Sequence, residues 1–159
     1  MLTGKPGSVE FDGYARLSLW DADRMVREFL VGRLENLTGK VRECSEKARA
    51  QGREKLLSEI DTIERRLSRI RDLTVYREGS YVPPYMKQGI SRADTQSLNE
   101  TDGRLEALID EAFAMISDLS CSEKDLYIID KLSAISGVMR SFESELNSRS
   151  RLLKREAKP

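Results

Sequence analysis

The chain has 159 residues, 34% of them charged, with equal numbers of acidic and basic side chains and no histidine. The missing imidazole excludes Ser-His and Cys-His nucleophile pairs, histidine general bases, histidine zinc ligands and the Glu-x-x-His di-iron sites of helical bundles. A net charge of zero gives no overall field to recruit nucleic acid or an anionic membrane.

Residues 1–17 contain Gly4, Gly7, Gly13 and Pro6. They read as a partly ordered N-terminal arm. Val9, Phe11 and Tyr14 are the side chains able to dock it on the rest of the chain. A single helical domain is expected from residue 18 to 159, a length at which roughly 70% of the unfolded surface can be buried.

Three Ser-x-x-Asp boxes punctuate that domain, Ser18–Asp21, Ser91–Asp94 and Ser122–Asp125. In each, the serine hydroxyl can accept from the N–H three residues on, while the aspartate reaches back to the serine N–H and complements the positive end of the helix. The first helix, about 18–50, carries Val26, Leu30, Leu34, Leu37, Val41, Cys44 and Ala48 at steps of three and four. The second, about 53–76, carries Leu56, Ile60, Ile63, Leu67 and Ile70. Extending the first register would place Gln51, Lys55, Ser58 and Thr62 in the core, so the phase breaks near Gly52. Glycine suits a helix C-terminus, and Lys47 and Arg49 suit the turn before it. The expectation is an antiparallel hairpin; one bent helix over 18–76 is the alternative, because no good N-cap follows Gly52.

The third helix, about 91–119, carries Leu98, Leu105, Leu108, Ala112, Ile116 and Leu119, joined by Ile109 and weakened by Gly103. The fourth, about 122–155, carries Ile128, Leu132, Ile135, Met139, Phe142 and Leu146. Its next seam position is Arg149, where the seam is expected to fray before Leu153. The fold class is all-α: an antiparallel four-helix bundle with long coiled-coil-like helices and one long crossover loop between the second and third.

That crossover is the least ordinary segment. Tyr76, Arg77, Tyr81, Val82, Pro83, Pro84, Tyr85 and Lys87 combine broad aromatic contact surface with a stiff backbone, and they form the expected partner-binding loop. Tyrosines capping the open end of the bundle are the simpler structural alternative. Charge is also uneven. Nine acidic residues lie between Asp94 and Asp125 against Arg104 and Lys124, while Arg65, Arg66, Arg69, Arg149, Arg151, Lys154 and Arg155 form basic stretches. The basic set is a candidate nucleic-acid contact; the alternative is that acidic and basic helices face each other, within the bundle or across a dimer. Asp61, Glu64, Glu106 and Asp110 sit at helical spacing and are weak candidates for a magnesium site, resembling very loosely the all-helical nucleotide pyrophosphohydrolases. No metal and no cofactor is expected.

Cys44 and Cys121 have no Cys-x-x-Cys spacing, so free thiols are expected. No run approaches the roughly 20 apolar residues that span a bilayer. The start, Met1-Leu-Thr-Gly-Lys-Pro, lacks the apolar core of a signal peptide, and a cytoplasmic location is expected. The functional expectation is a non-enzymatic helical interaction or assembly module with a protein partner, a homodimer, because Met25, Phe29, Leu57, Ile109, Phe113 and Ile129 need cover beyond one narrow seam. A small helical subunit of a ribonucleoprotein or DNA complex is the second reading, and a magnesium-dependent nucleotide hydrolase the third.

Overall fold

The computed structural model describes residues 1–75, 92–119 and 124–156, without the side chains of 92–94 and 154–156. Five helices pack together: α1 (Gly13–Arg16), α2 (Leu19–Ala50), α3 (Glu54–Val75), α4 (Arg92–Ser117) and α5 (Asp125–Glu156). Among the described residues there is no strand. The four long helices form an all-α bundle of two antiparallel hairpins, and neighbouring helices from different hairpins run parallel. α2 packs on α3 and α4, α5 packs on the same two, and short α1 lies on α2 and α4.

The helix ends follow local chemistry. The Asp21 N–H donates to Ser18 Oγ at 3.1 Å and caps α2. The serine hydroxyl in turn donates to the Asp21 carboxylate at 2.8 Å, so this box closes through side chains rather than through the serine N–H. α2 ends in a Schellman turn, with the Arg53 N–H on Ala48 O at 3.0 Å and the Gly52 N–H on Arg49 O at 3.1 Å. Gly52 takes φ 66°, which any side chain would strain. The chain therefore reverses at 51–53, and α2 and α3 are a hairpin rather than one bent helix. The boxes at Ser91 and Ser122 lie outside the described residues or side chains.

Ion pairs show how the hairpins lie together. Arg71 reaches Glu35 across the α2–α3 hairpin at 3.1 Å, and Arg104 reaches Glu145 across α4–α5 at 3.2 Å. Arg53 meets Asp125 at 2.5 Å and Arg69 meets Glu143 at 2.8 Å, so α3 and α5 run parallel. Arg33 pairs with Asp110, which fits parallel α2 and α4. Basic and acidic helices thus face each other within one bundle. α3 and α4 stand on a diagonal, and the connection 76–91 joins their ends.

The expected stripes are buried, except that Cys44, Leu108 and Leu119 are half-buried. Ile109 is core at 1% exposure and Leu108 is a half-buried flank, so the α4 seam steps from Leu105 to Ile109. Val9 is exposed, while Phe11 and Tyr14 are buried, and their rings meet edge to face at 5.7 Å. The arm is therefore docked and partly helical. Met25, Phe29, Leu57, Phe113 and Ile129 pack against the core of their own bundle, with Lys5 over the Phe29 ring and Lys40 over the Phe113 ring. Each of the five is half-buried, so the bundle covers part of its surface. Ile63 and Leu132 are each 1% exposed. Ile63→Ala or Leu132→Ala should cost about 2–5 kcal/mol in denaturant unfolding; a loss below about 1 kcal/mol would place those faces outside the core.

Candidate functional site: a buried charged layer

Near the end of the bundle where α2 and α4 begin, one seam position on each long helix is polar. α5 steps from Leu146 to Arg149 to Leu153 without leaving the core. The seven-residue gap between Leu98 and Leu105 on α4 is filled by Asp102, and the α2 stripe runs on through Asp23 to Leu19. α3 contributes Thr74. Arg149 is 1% exposed, so the seam does not fray there, and this residue cannot be a surface contact for nucleic acid.

The guanidinium is enclosed by partners from three other elements. Arg149 Nη1 donates to Asp23 Oδ1 at 2.5 Å, Nε to Asp102 Oδ1 at 2.6 Å and Nη2 to Tyr14 Oη at 2.8 Å. The Tyr14 hydroxyl donates to Asp102 Oδ2 at 2.5 Å. Asp23 also accepts from Arg27 Nε at 3.0 Å, and Arg27 Nη1 reaches Thr74 O at 2.7 Å, near the end of α3. Two guanidinium cations and two carboxylates thus balance, with the tyrosine proton closing the ring.

Burial dominates the electrostatics. It drives Tyr14 well above its ordinary value, with Asp102 and Asp23 adding to the effect against the opposing pull of Arg149. It raises Asp102 as well, and Arg149 and the Tyr14 hydrogen bond pull back without cancelling the rise. Burial works against the Arg149 charge, but Asp102, Tyr14 and Asp23 outweigh it and hold the cation well above its ordinary range. Every polar group here has a protein partner and the layer is closed to solvent. Its chemistry is mutual neutralisation rather than attack on a substrate.

The arm completes the layer. Besides Tyr14, it is tied by Lys5 Nζ to Glu106 Oε1 at 2.6 Å and by Asn99 Nδ2 to Phe11 O at 3.0 Å. Its backbone passes so close to α4 that a Cβ on Gly103 would lie 2.9 Å from Gly7 O. The glycine that weakens α4 as a helix is what admits the arm.

The other candidate residues do not gather into a site. Tyr76, Arg77, Tyr81, Val82, Pro83, Pro84, Tyr85 and Lys87 lie outside the described residues, as do Cys121 and the side chains of Lys154 and Arg155. Arg65 pairs with Asp61 on its own helix, Arg69 with Glu143, Arg66 is half-buried and Arg151 is exposed. Of the magnesium candidates, Asp61 and Glu64 are on α3 and Glu106 and Asp110 on α4, across the diagonal. Glu106 and Asp110 are also held by Lys5 and Arg33. No group of three or more metal-ligating side chains occurs among the described residues. None of the described helices is long and apolar enough to cross a membrane.

Arg149→Met should cost about 3–5 kcal/mol, because it leaves buried Asp102 without a cation and Asp23 with Arg27 alone. Replacing Arg149 and Asp102 together by Met and Leu, which leaves the Asp23–Arg27 pair intact, should recover most of that loss. A single variant costing under about 1 kcal/mol would show that water reaches the layer. Tyr14 gives a second outcome. The unfolded chain releases this proton near pH 10.0, whereas the fold retains it to higher pH. The stability it contributes is present below that pH and falls as the pH rises above it. In a phenolate titration, the Tyr14→Phe difference should show one tyrosine ionising only with unfolding; ionisation in the folded protein near the ordinary value would contradict the burial.

No family description, curated protein or solved structure matches this chain.

Proposed function

We propose that the chain is a non-enzymatic helical interaction and assembly module that acts as a homo-oligomer. The observation that carries this reading is the form of its concave surface. Three clefts of about 380, 420 and 410 Å³ lie open along the α2–α4 seam, the α4–α5 seam and the side of α2 beside the end of α3. The first has Ile109 and Phe113 in its floor and Arg33, Lys40 and Asp110 at its rim. The third sets Trp20, Val31 and Val75 among Arg24, Arg27 and Glu28. Sites for small substrates enclose most of the ligand. Open grooves with apolar floors and charged rims correspond to the core and rim of a protein–protein contact.

The interior supports the same reading. The buried charges neutralise each other and fix how the helices stand, which leaves surface shape as what the molecule offers. The nucleic-acid reading has less support: Arg149 is interior, Arg69 is held by Glu143, and the net charge is zero.

Sedimentation from about 1 to 100 μM should give a species of at least twice the 18.1 kDa chain mass, weighted toward the higher concentrations. A monomer throughout that range, together with saturable RNA or DNA binding that weakens steeply with salt, would replace this reading with that of a nucleic-acid-binding subunit.

A further inference from the structure

We infer that the outward face of α2 is where two copies of the chain meet, laid antiparallel across a two-fold axis at Glu35; this rests on the assembly reading above and names its surface. In a two-fold contact the same face meets itself reversed, so residue i faces j while j faces i. A charged stripe suited to that must be its own complement when read backwards. Followed at steps of three and four, the solvent side of α2 has this property. Reversed about Glu35, it sets Asp21 against Arg49, Arg24 against Glu46 and Glu28 against Arg42. Both halves of a dimer repeat these contacts. A parallel arrangement would set each charge against itself. Sliding the antiparallel pair by one heptad either way leaves at most two opposite-charge contacts per half.

Two glycines are an independent observation. Between the charged pairs, Gly32 comes opposite Thr38 and Gly39 opposite Val31, one on each side of the axis. A Cβ at either position would meet no atom within 4 Å, so the bundle itself requires neither glycine. Each weakens a helix relative to alanine. What a glycine on each side of the axis provides is room for the other copy to approach the backbone closely, at the centre of the paired stripe.

Charge bookkeeping within the chain agrees. Arg33, Arg53, Arg69 and Arg104 each pair with an acid on another helix. The side chains of Glu28, Arg42, Glu46 and Arg49, all exposed on α2, make no ion pair or hydrogen bond within the described residues, while Asp21 and Arg24 lie 3.6 Å apart on the same helix. One like-charge meeting remains, Glu35 with its own copy at the axis. Arg71 supplies its counter-charge, with Nη2 at 3.1 Å and Nε at 3.2 Å from the Glu35 carboxylate. A contact made of charge and glycine gains its specificity from charge complementarity and weakens with salt.

The test is sedimentation equilibrium of the full chain at low and high salt. Wild type should dimerise, with dissociation increasing at least about tenfold as salt rises into the range where exposed ion pairs are screened. Arg24→Glu and Arg42→Glu should each weaken the dimer about tenfold or more, one pair lost twice across the axis. Adding Glu46→Arg to the first, or Glu28→Arg to the second, should restore it. Gly39→Leu should weaken association while circular dichroism shows an intact helical monomer. Spin labels at Asn36→Cys, in a Cys44→Ser, Cys121→Ser background, should lie within about 20 Å of each other between chains, as two helices at contact distance require. A dimer that ignores the charge reversals and holds these labels far apart overturns the α2 surface and leaves the assembly reading standing. A chain that stays monomeric under every condition overturns both.

Discussion

One buried cation sets the terms for this end of the bundle. Arg149 occupies a core position at 1% exposure, and a guanidinium there is tolerable only if carboxylates and acceptors surround it. The two carboxylates come from α2 and α4, and the third acceptor, Tyr14, from α1. Four elements must therefore arrive at one height. An apolar seam would tolerate a slide of one helix past another at modest cost. A charged layer would not, because a slide of a single turn strands Arg149 between leucines and Asp102 against an apolar face. A single buried polar layer fixing register is a known use of such groups in helical assemblies. Here the layer also decides that the N-terminal arm is part of the domain.

The surface ion pairs contribute differently. In Arg69–Glu143 and Arg104–Glu145 the arginines are largely exposed, and pairs open to water on one side each add about 0–1 kcal/mol. They follow the packing more than they cause it. What they achieve is local neutrality along the seams between helices, where basic and acidic segments meet.

Hydrophobic periodicity made most of the fold legible. Leu56 to Ile70 and Ile128 to Leu146 are continuous stripes, and Gly52 with Lys47 and Arg49 before it marked the reversal. The same method missed the centre of the molecule. It treats a charged residue at a seam slot as the seam's end, so Arg149 read as fraying, and Asp102 and Asp23 were given no place in the stripes. The signal was present in the spacing: Leu146 to Leu153 and Leu98 to Leu105 are seven-residue steps, each with one charged residue in the vacant slot, and the two charges are opposite. Periodicity on single helices could not show that α3 and α4 stand on a diagonal, because that depends on which hairpin faces meet. The docked arm was partly legible in Phe11 and Tyr14. Its hold on α4 was not, since Gly103 declares only a weak helix until the backbone of Gly7 is placed against it.

That last contact ties two distant positions to one fate. On an isolated α4, alanine at 103 would be an improvement, because glycine is the poorer helix former by about 1 kcal/mol. In the folded chain the added methyl would press on Gly7 O at 2.9 Å and push away the segment that carries Lys5 and, further on, Tyr14. Position 7 has no freedom to yield, since its φ of 84° suits glycine and a Cβ there would meet Glu106 at 2.8 Å. The sign of a substitution at 103 is therefore not a property of that residue. It is set by whether the first few residues of the chain are in place, and a sequence that lost the arm would be released to gain a side chain in α4 that this one must refuse.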